Sequence, residues 1–167
     1  MSKMSYNLRL LCNLQGNLFA NYHELCFCSP YVFIRRFMNS NLSKRFDDQT
    51  ILLEQSSTQS QVEELNEEYG TTSFGNPKTV DRECLFWVGY IYRYWANSRN
   101  IPSRYLIHKV KPDKLISRYN IYHSMDLDYA IDLIIEEEGL SFSEIKQNKN
   151  LMQVINDYLD YLKDNKK

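Results

Sequence analysis

The residues best equipped for chemistry fall in one short run, HELCFC, which sets His23, Cys26 and Cys28 close together. Imidazole and thiolate are zinc ligands, and Cys12, Cys84, His108 or His123 would have to complete the set. Structural zinc usually shows two well-spaced ligand pairs, whereas this is one compressed cluster with no clear second pair, so no metal is expected. A thiol nucleophile with a histidine base is the other option, pairing Cys28 or Cys84 with His108 or His123, because such partners can be distant in sequence. No local signature supports that pairing, and buried free cysteine is the commoner fate. Glu136, Glu137 and Glu138 stand beside Gly139 and read as a solvated helix end. No phosphate-binding glycine loop, G-x-S-x-G elbow or H-E-x-x-H pair occurs. A non-enzymatic protein without a cofactor is expected, with a small enzyme or toxin of unrecognised type as an alternative.

Binding chemistry is better represented. Tyrosine and arginine recur together in RYW at Arg93–Trp95, in SRY at Ser103–Tyr105 and Ser117–Tyr119, and in YHS at Tyr122–Ser124. Tyr, Trp and Arg dominate protein–protein hot spots because each combines large area with a polar handle. The expected partner-binding residues are therefore Arg93, Tyr94, Asn97, Arg99, Arg104, Tyr105, Arg118 and Tyr119. The stretch 99–118 also carries Arg99, Arg104, Lys109, Lys111, Lys114 and Arg118 against one acid, Asp113. With Tyr105 and Tyr119 interleaved, it is an alternative nucleic-acid face. A net charge of −1 and a pI near 6.3 give no global attraction to polyanions, so a balance between this patch and the acids at 63–68 and 126–138 is preferred.

The elements that position these residues are helical. NLFANYHELC places Leu18, Tyr22 and Leu25 at helical spacing. Ser29 and Pro30 open a second helix that carries Val32, Phe33, Phe37 and Met38. Ser60 and Glu63 read as a capping box for a surface helix that stops at Gly70. Residues 71–78 are a loop. ECLFWVGYIYRYWANSRN packs six aromatic residues around one glycine. Cys84, Trp87, Val88, Ile91 and Trp95 share one face of it, and most other positions are apolar too. Such a helix belongs at the centre of its domain, and Gly89 would admit another backbone closely. The tyrosine hydroxyls and Arg93 then need polar partners. IPSRYLIHKV and KPDKLISRYNIYHS are two shorter units, followed by a helix with Leu127, Ala130, Ile131, Ile134 and Ile135 in one stripe. A final helix is expected from the Ser141 and Glu144 capping box through Leu162, with fraying at its lysine-rich end. Only DDQTILLEQ, 47–55, has the short, branched look of a strand.

The 167 residues, 43% hydrophobic and 25% charged, suit one globular domain. No secretion signal and no apolar window near 18 residues is visible. A cytoplasmic, non-membrane protein with reduced thiols is expected. The stretches EEYGTTSFGN, ECLFWVGYIYRYW and YNIYHSMDLDYAI resemble small uncharacterised proteins of low-GC Gram-positive bacteria associated with toxin–antitoxin and defence loci. The resemblance covers residues 23–135 and implies an antitoxin-like protein that binds and silences a cognate toxin, or responds to phage; it assigns no catalytic residues. The combined expectation is a mainly α, single helical domain over 1–167, built around one buried aromatic helix with room for a minor β-hairpin.

Overall fold

Serine hydroxyls open the first helices of the chain. In the computed structural model, which describes residues 4–53 and 56–143, Ser5 caps α1 (Tyr6–Asn21), Ser29 caps α2 (Pro30–Asn39) and Ser40 caps α3 (Asn41–Asp47). Each side chain accepts a backbone N–H that the first turn leaves unpaired. Ser40 both ends α2 and starts α3, so these two helices meet without a linker. Ser57 caps α4 (Thr58–Tyr69) through a reciprocal pair with Ser60, one turn earlier than the expected Ser60–Glu63 box. Then follow α5 (Arg82–Ser98), α6 (Ser103–Lys109), α7 (Pro112–Tyr122) and α8 (Leu127–Glu137).

Helix α5 is the core element, as its composition requires. Val88, Ile91, Tyr92, Arg93 and Trp95 have no exposed surface. Its principal neighbour is α1, and the two approach at facing glycines. A Cβ on Gly89 would lie 2.7 Å from the Gln15 carbonyl oxygen and 3.0 Å from Gly16 Cα. A Cβ on Gly16 would meet the Phe86 ring at 2.9 Å. Backbone therefore touches backbone here, which no larger residue permits. From Phe19, whose ring lies beside Gly89, edge-to-face contacts run to Phe33 and Phe37, and from Phe37 to Phe46. This aromatic cluster joins α1, α2 and α3 into one core.

Three helices end with a left-handed residue and a bond from the following N–H back to a carbonyl five positions earlier. These are Gln49 (φ 55, Thr50 to Arg45), Asn100 (φ 53, Ile101 to Ala96) and Gly139 (φ 58, Leu140 to Ile135). The first of them corrects the strand expected at 47–55. Asp47 is the last residue of α3, the backbone at 48–50 is spent on closing that helix, and residues 51–53 pair with no neighbouring strand. No strand, and hence no β-hairpin, occurs among the described residues. The expected helix at 17–26 is likewise shifted: α1 spans Tyr6–Asn21, and a 3-10 turn at Tyr22–Glu24 leads out of it.

Internal contacts divide the chain into two units, Met1–Ala130 and Ile131–Lys167. In the second, Ile131 and Ile134 are buried and Gly139 ends the helix. The expected C-terminal helix, from Glu144 on, lies outside the described residues. All sites described below belong to the first unit.

Candidate functional site

Arg93 does not reach the surface. Its guanidinium donates from Nε to Gln15 Oε1 at 2.8 Å, from Nη1 to Asp47 Oδ1 at 2.6 Å and Asn97 Oδ1 at 3.0 Å, and from Nη2 to Ser103 Oγ at 2.9 Å. The Phe46 ring lies 5.2 Å from its carbon, beneath the remaining face. Burial pulls the guanidinium pKa down from its ordinary value, and the Asp47 carboxylate works in the opposite direction. Asp47 has a second task. Its Oδ2 accepts the Ser103 backbone N–H at 2.9 Å and its Oδ1 the Ser103 hydroxyl at 2.6 Å. Pro102, the residue before α6, offers no side-chain cap, so a carboxylate from α3 caps α6 in its place. One ion pair thus ties together α3, α5 and α6, and Asn97 extends it to the Phe46 and Asp47 carbonyls. Arg93, expected at a partner surface, is an internal crosslink and can touch no partner in this fold.

Tyr94 and Arg99 come together through Asp128. The Tyr94 hydroxyl donates to Asp128 Oδ2 at 2.9 Å, and Arg99 Nη2 lies 3.4 Å from Oδ1. They form one wall of a cleft of about 530 Å³ completed by Met4, Leu8 and Ser98. Burial, followed by the adjoining carboxylate, pushes the Tyr94 phenol up to about 12, so at neutral pH it stays a hydrogen-bond donor. The other expected residues sit elsewhere. Tyr105 lies beneath the Lys109 ammonium, 5.4 Å from its ring centroid. Arg118 donates to the Lys114 carbonyl one turn back on α7, and Tyr119 packs between Trp87 and His123. The basic stretch is therefore spread over three helices, with Arg99 engaged by an acid and Arg104 by a carbonyl, Asn39 O at 2.8 Å.

That last bond leads to a surface the sequence reading passed over. Helix α2 buries Phe33, Ile34, Phe37 and Met38 and turns Tyr31 and Arg35 outward, one turn apart. Arg104, exposed on α6, reaches across to the C-terminal end of this face. At its N-terminal end stand Phe27, 67% exposed, and Phe74, 76% exposed, with Tyr31 at 41%. Phe74 is carried on a loop that is pinned rather than loose. Its carbonyl accepts the Ser29 N–H at 2.9 Å, and Gly75 approaches so closely that a Cβ would lie 2.7 Å from Ser29 Cβ. Arg36 fixes the start of the same loop by donating to the Gly70 carbonyl at 2.8 Å while lying over the Tyr69 ring. The signal was present in the sequence. Tyr31 and Arg35 follow the Ser29–Pro30 start on the face opposite Phe33 and Phe37, but a search for apolar stripes reads past the outer face.

Cys26 and Cys28 lie in the link between the 3-10 turn and α2, with their sulfurs 3.3 Å apart. The four cysteines are free, and among the described residues no group of three or more His, Cys, Asp or Glu side chains is placed to hold a metal ion. His23 does not complete a ligand set with the two thiols. None of the helices described is long and apolar enough to cross a membrane. Compared with known protein families, with curated proteins and with solved structures, the chain matches none of them.

Proposed function

We propose that this chain is a protein-binding module of the antitoxin-like or regulatory kind, and that the outer face of α2 is its docking surface. The observation that carries the reading is the set of exposed rings, Phe27, Tyr31 and Phe74, held on backbone that is hydrogen-bonded to the core. Rings fixed in this way lose little freedom on binding, which is what anchors at an interface require. Arg35 along the helix and Arg104 at its C-terminal end add two exposed cations to the face, and the outward residues of α2 include no acid. The occupant that fits is an apolar segment of a partner protein carrying acidic residues. Helix α2, ten residues long, offers about 15 Å of face, enough for two or three turns of a partner helix. The resemblance to proteins of toxin–antitoxin loci makes a co-encoded toxin the expected partner.

The test is affinity capture from host lysate, with and without nuclease, by wild type and by Phe27→Ala, Tyr31→Ala and Phe74→Ala. Each ring is exposed, so folding is expected to survive. Loss of about 2 kcal/mol of affinity per anchor, roughly thirty-fold, is the expected result for a partner that survives nuclease. Undiminished capture by all three variants would remove this face. Recovery of nucleic acid that falls away steeply with salt would favour the basic stretch 99–118 instead.

A further inference from the structure

The link between α1 and α2 holds two thiols in direct contact, Cys26 Sγ to Cys28 Sγ at 3.3 Å. Two residues apart, their Cα atoms are separated by no more than about 7 Å, close to the range that disulfides bridge. The loop is held in this shape by Tyr22, whose carbonyl accepts the Cys26 N–H at 2.8 Å and whose hydroxyl donates to the Cys28 carbonyl at 2.9 Å. Cys26 is 8% exposed between the solvent-facing Leu25 and Phe27, whereas Cys28 has no exposed surface. Cys12 and Cys84 are buried in helices, each outside such a pair. We propose that Cys26 and Cys28 form a reactive dithiol that hydroperoxides oxidise to an intramolecular disulfide, with Cys26 the attacking sulfur and Cys28 the resolving one.

The electrostatics run the same way. The two sulfurs share one proton, and that bond, with the Arg36 charge, lowers the Cys26 pKa while raising that of Cys28. Burial holds the Cys12 and Cys84 thiols up at about 12 and about 11. The thiolate is the nucleophile, and of the two sulfurs it is Cys26 that has exposed surface for a peroxide to reach. It attacks one oxygen of hydrogen peroxide, the O–O bond breaks, and the departing hydroxide takes up a proton as water. The product is Cys26 sulfenic acid. Cys28 sulfur then attacks the Cys26 sulfur, the S–O bond breaks, and the leaving hydroxide combines with the proton Cys28 gives up. Two thiols and one peroxide become one disulfide and two waters, and an external dithiol reverses the change by exchange.

This proposal stands apart from the partner-binding reading, and its test does not involve a partner. Reduced wild-type protein is treated with hydrogen peroxide, denatured, alkylated and cleaved after glutamate, which at Glu24 separates Cys12 from the pair. The expected result is loss of alkylation at Cys26 and Cys28 together, in a peptide two mass units lighter, with Cys12 and Cys84 still alkylated. Cys28→Ser is expected to leave a sulfenic acid at Cys26 that dimedone traps, and Cys26→Ser to leave Cys28 unoxidised at the same dose. Full alkylation of all four thiols after peroxide, oxidation spread evenly among them, or disulfides only between chains would overturn the proposal. The wild-type arm decides this even if a serine variant fails to fold.

Discussion

A guanidinium without solvent exposure must find its partners inside the protein, and Arg93 finds four acceptors on four residues. Of these only Asp47 carries charge, and its removal would leave the cation buried and uncompensated while also stripping the cap from α6. Asp47→Ala is therefore expected to cost about 3–5 kcal/mol, measured by urea denaturation, and more than loss of a half-buried surface carboxylate such as Glu64. A loss below about 1 kcal/mol would mean that the ion pair is not the tie between α3, α5 and α6. The need for such a partner was legible: a lone arginine inside GYIYRYW cannot be buried without one. Its identity was not. Asp47 lies 46 positions upstream, in a segment whose composition suggested a strand, and a contact at that separation leaves no period in the sequence. The same holds for Tyr94 and Asp128, 34 positions apart.

Between elements, the closest contact is that of α1 and α5 at Gly16 and Gly89. Gly89→Ala would drive a methyl group to 2.7 Å from a carbonyl oxygen that belongs to a helix and cannot turn aside. The helices would have to part. A loss of about 2–3 kcal/mol is expected by thermal or chemical denaturation, although alanine is the better helix former by about 1 kcal/mol in isolation. Unchanged or increased stability would show that the two helices are not packed backbone to backbone. An opposite sign is expected at the end of α3, where the exposed Gln49 holds φ 55. Gln49→Gly should relieve the left-handed strain and stabilise the protein by about 0.5–1 kcal/mol, read as a raised midpoint of denaturation. Helix ends marked by Gly70 and Gly139 were readable because glycine favours positive φ and breaks helices. Gln49 carries no such mark, so the helix end was missed and the branched residues after it took on the look of a strand. The core helix itself was plain, because a run that is apolar nearly all round has only one place to go.

For the molecule, the distinction that matters is between what faces in and what faces out. Phe33, Phe37 and Trp95 are aromatic and wholly or almost wholly buried, and Phe27, Tyr31 and Phe74 are aromatic and exposed, yet composition counts them alike. Sequence patterning identified the inward set through its period and assigned surface roles to Tyr/Arg pairs, which placed Arg93 on the wrong side of that division. In the proposed function the partner docks on the outer face of α2, with aromatic anchors at one end and arginines along it. Hydrogen–deuterium exchange of the free protein and of its purified complex tests this claim most directly. Slowed exchange confined to residues 27–39 and 70–77 on complex formation is the predicted result. Protection that falls on 99–118 instead, with 27–39 unchanged, would contradict it.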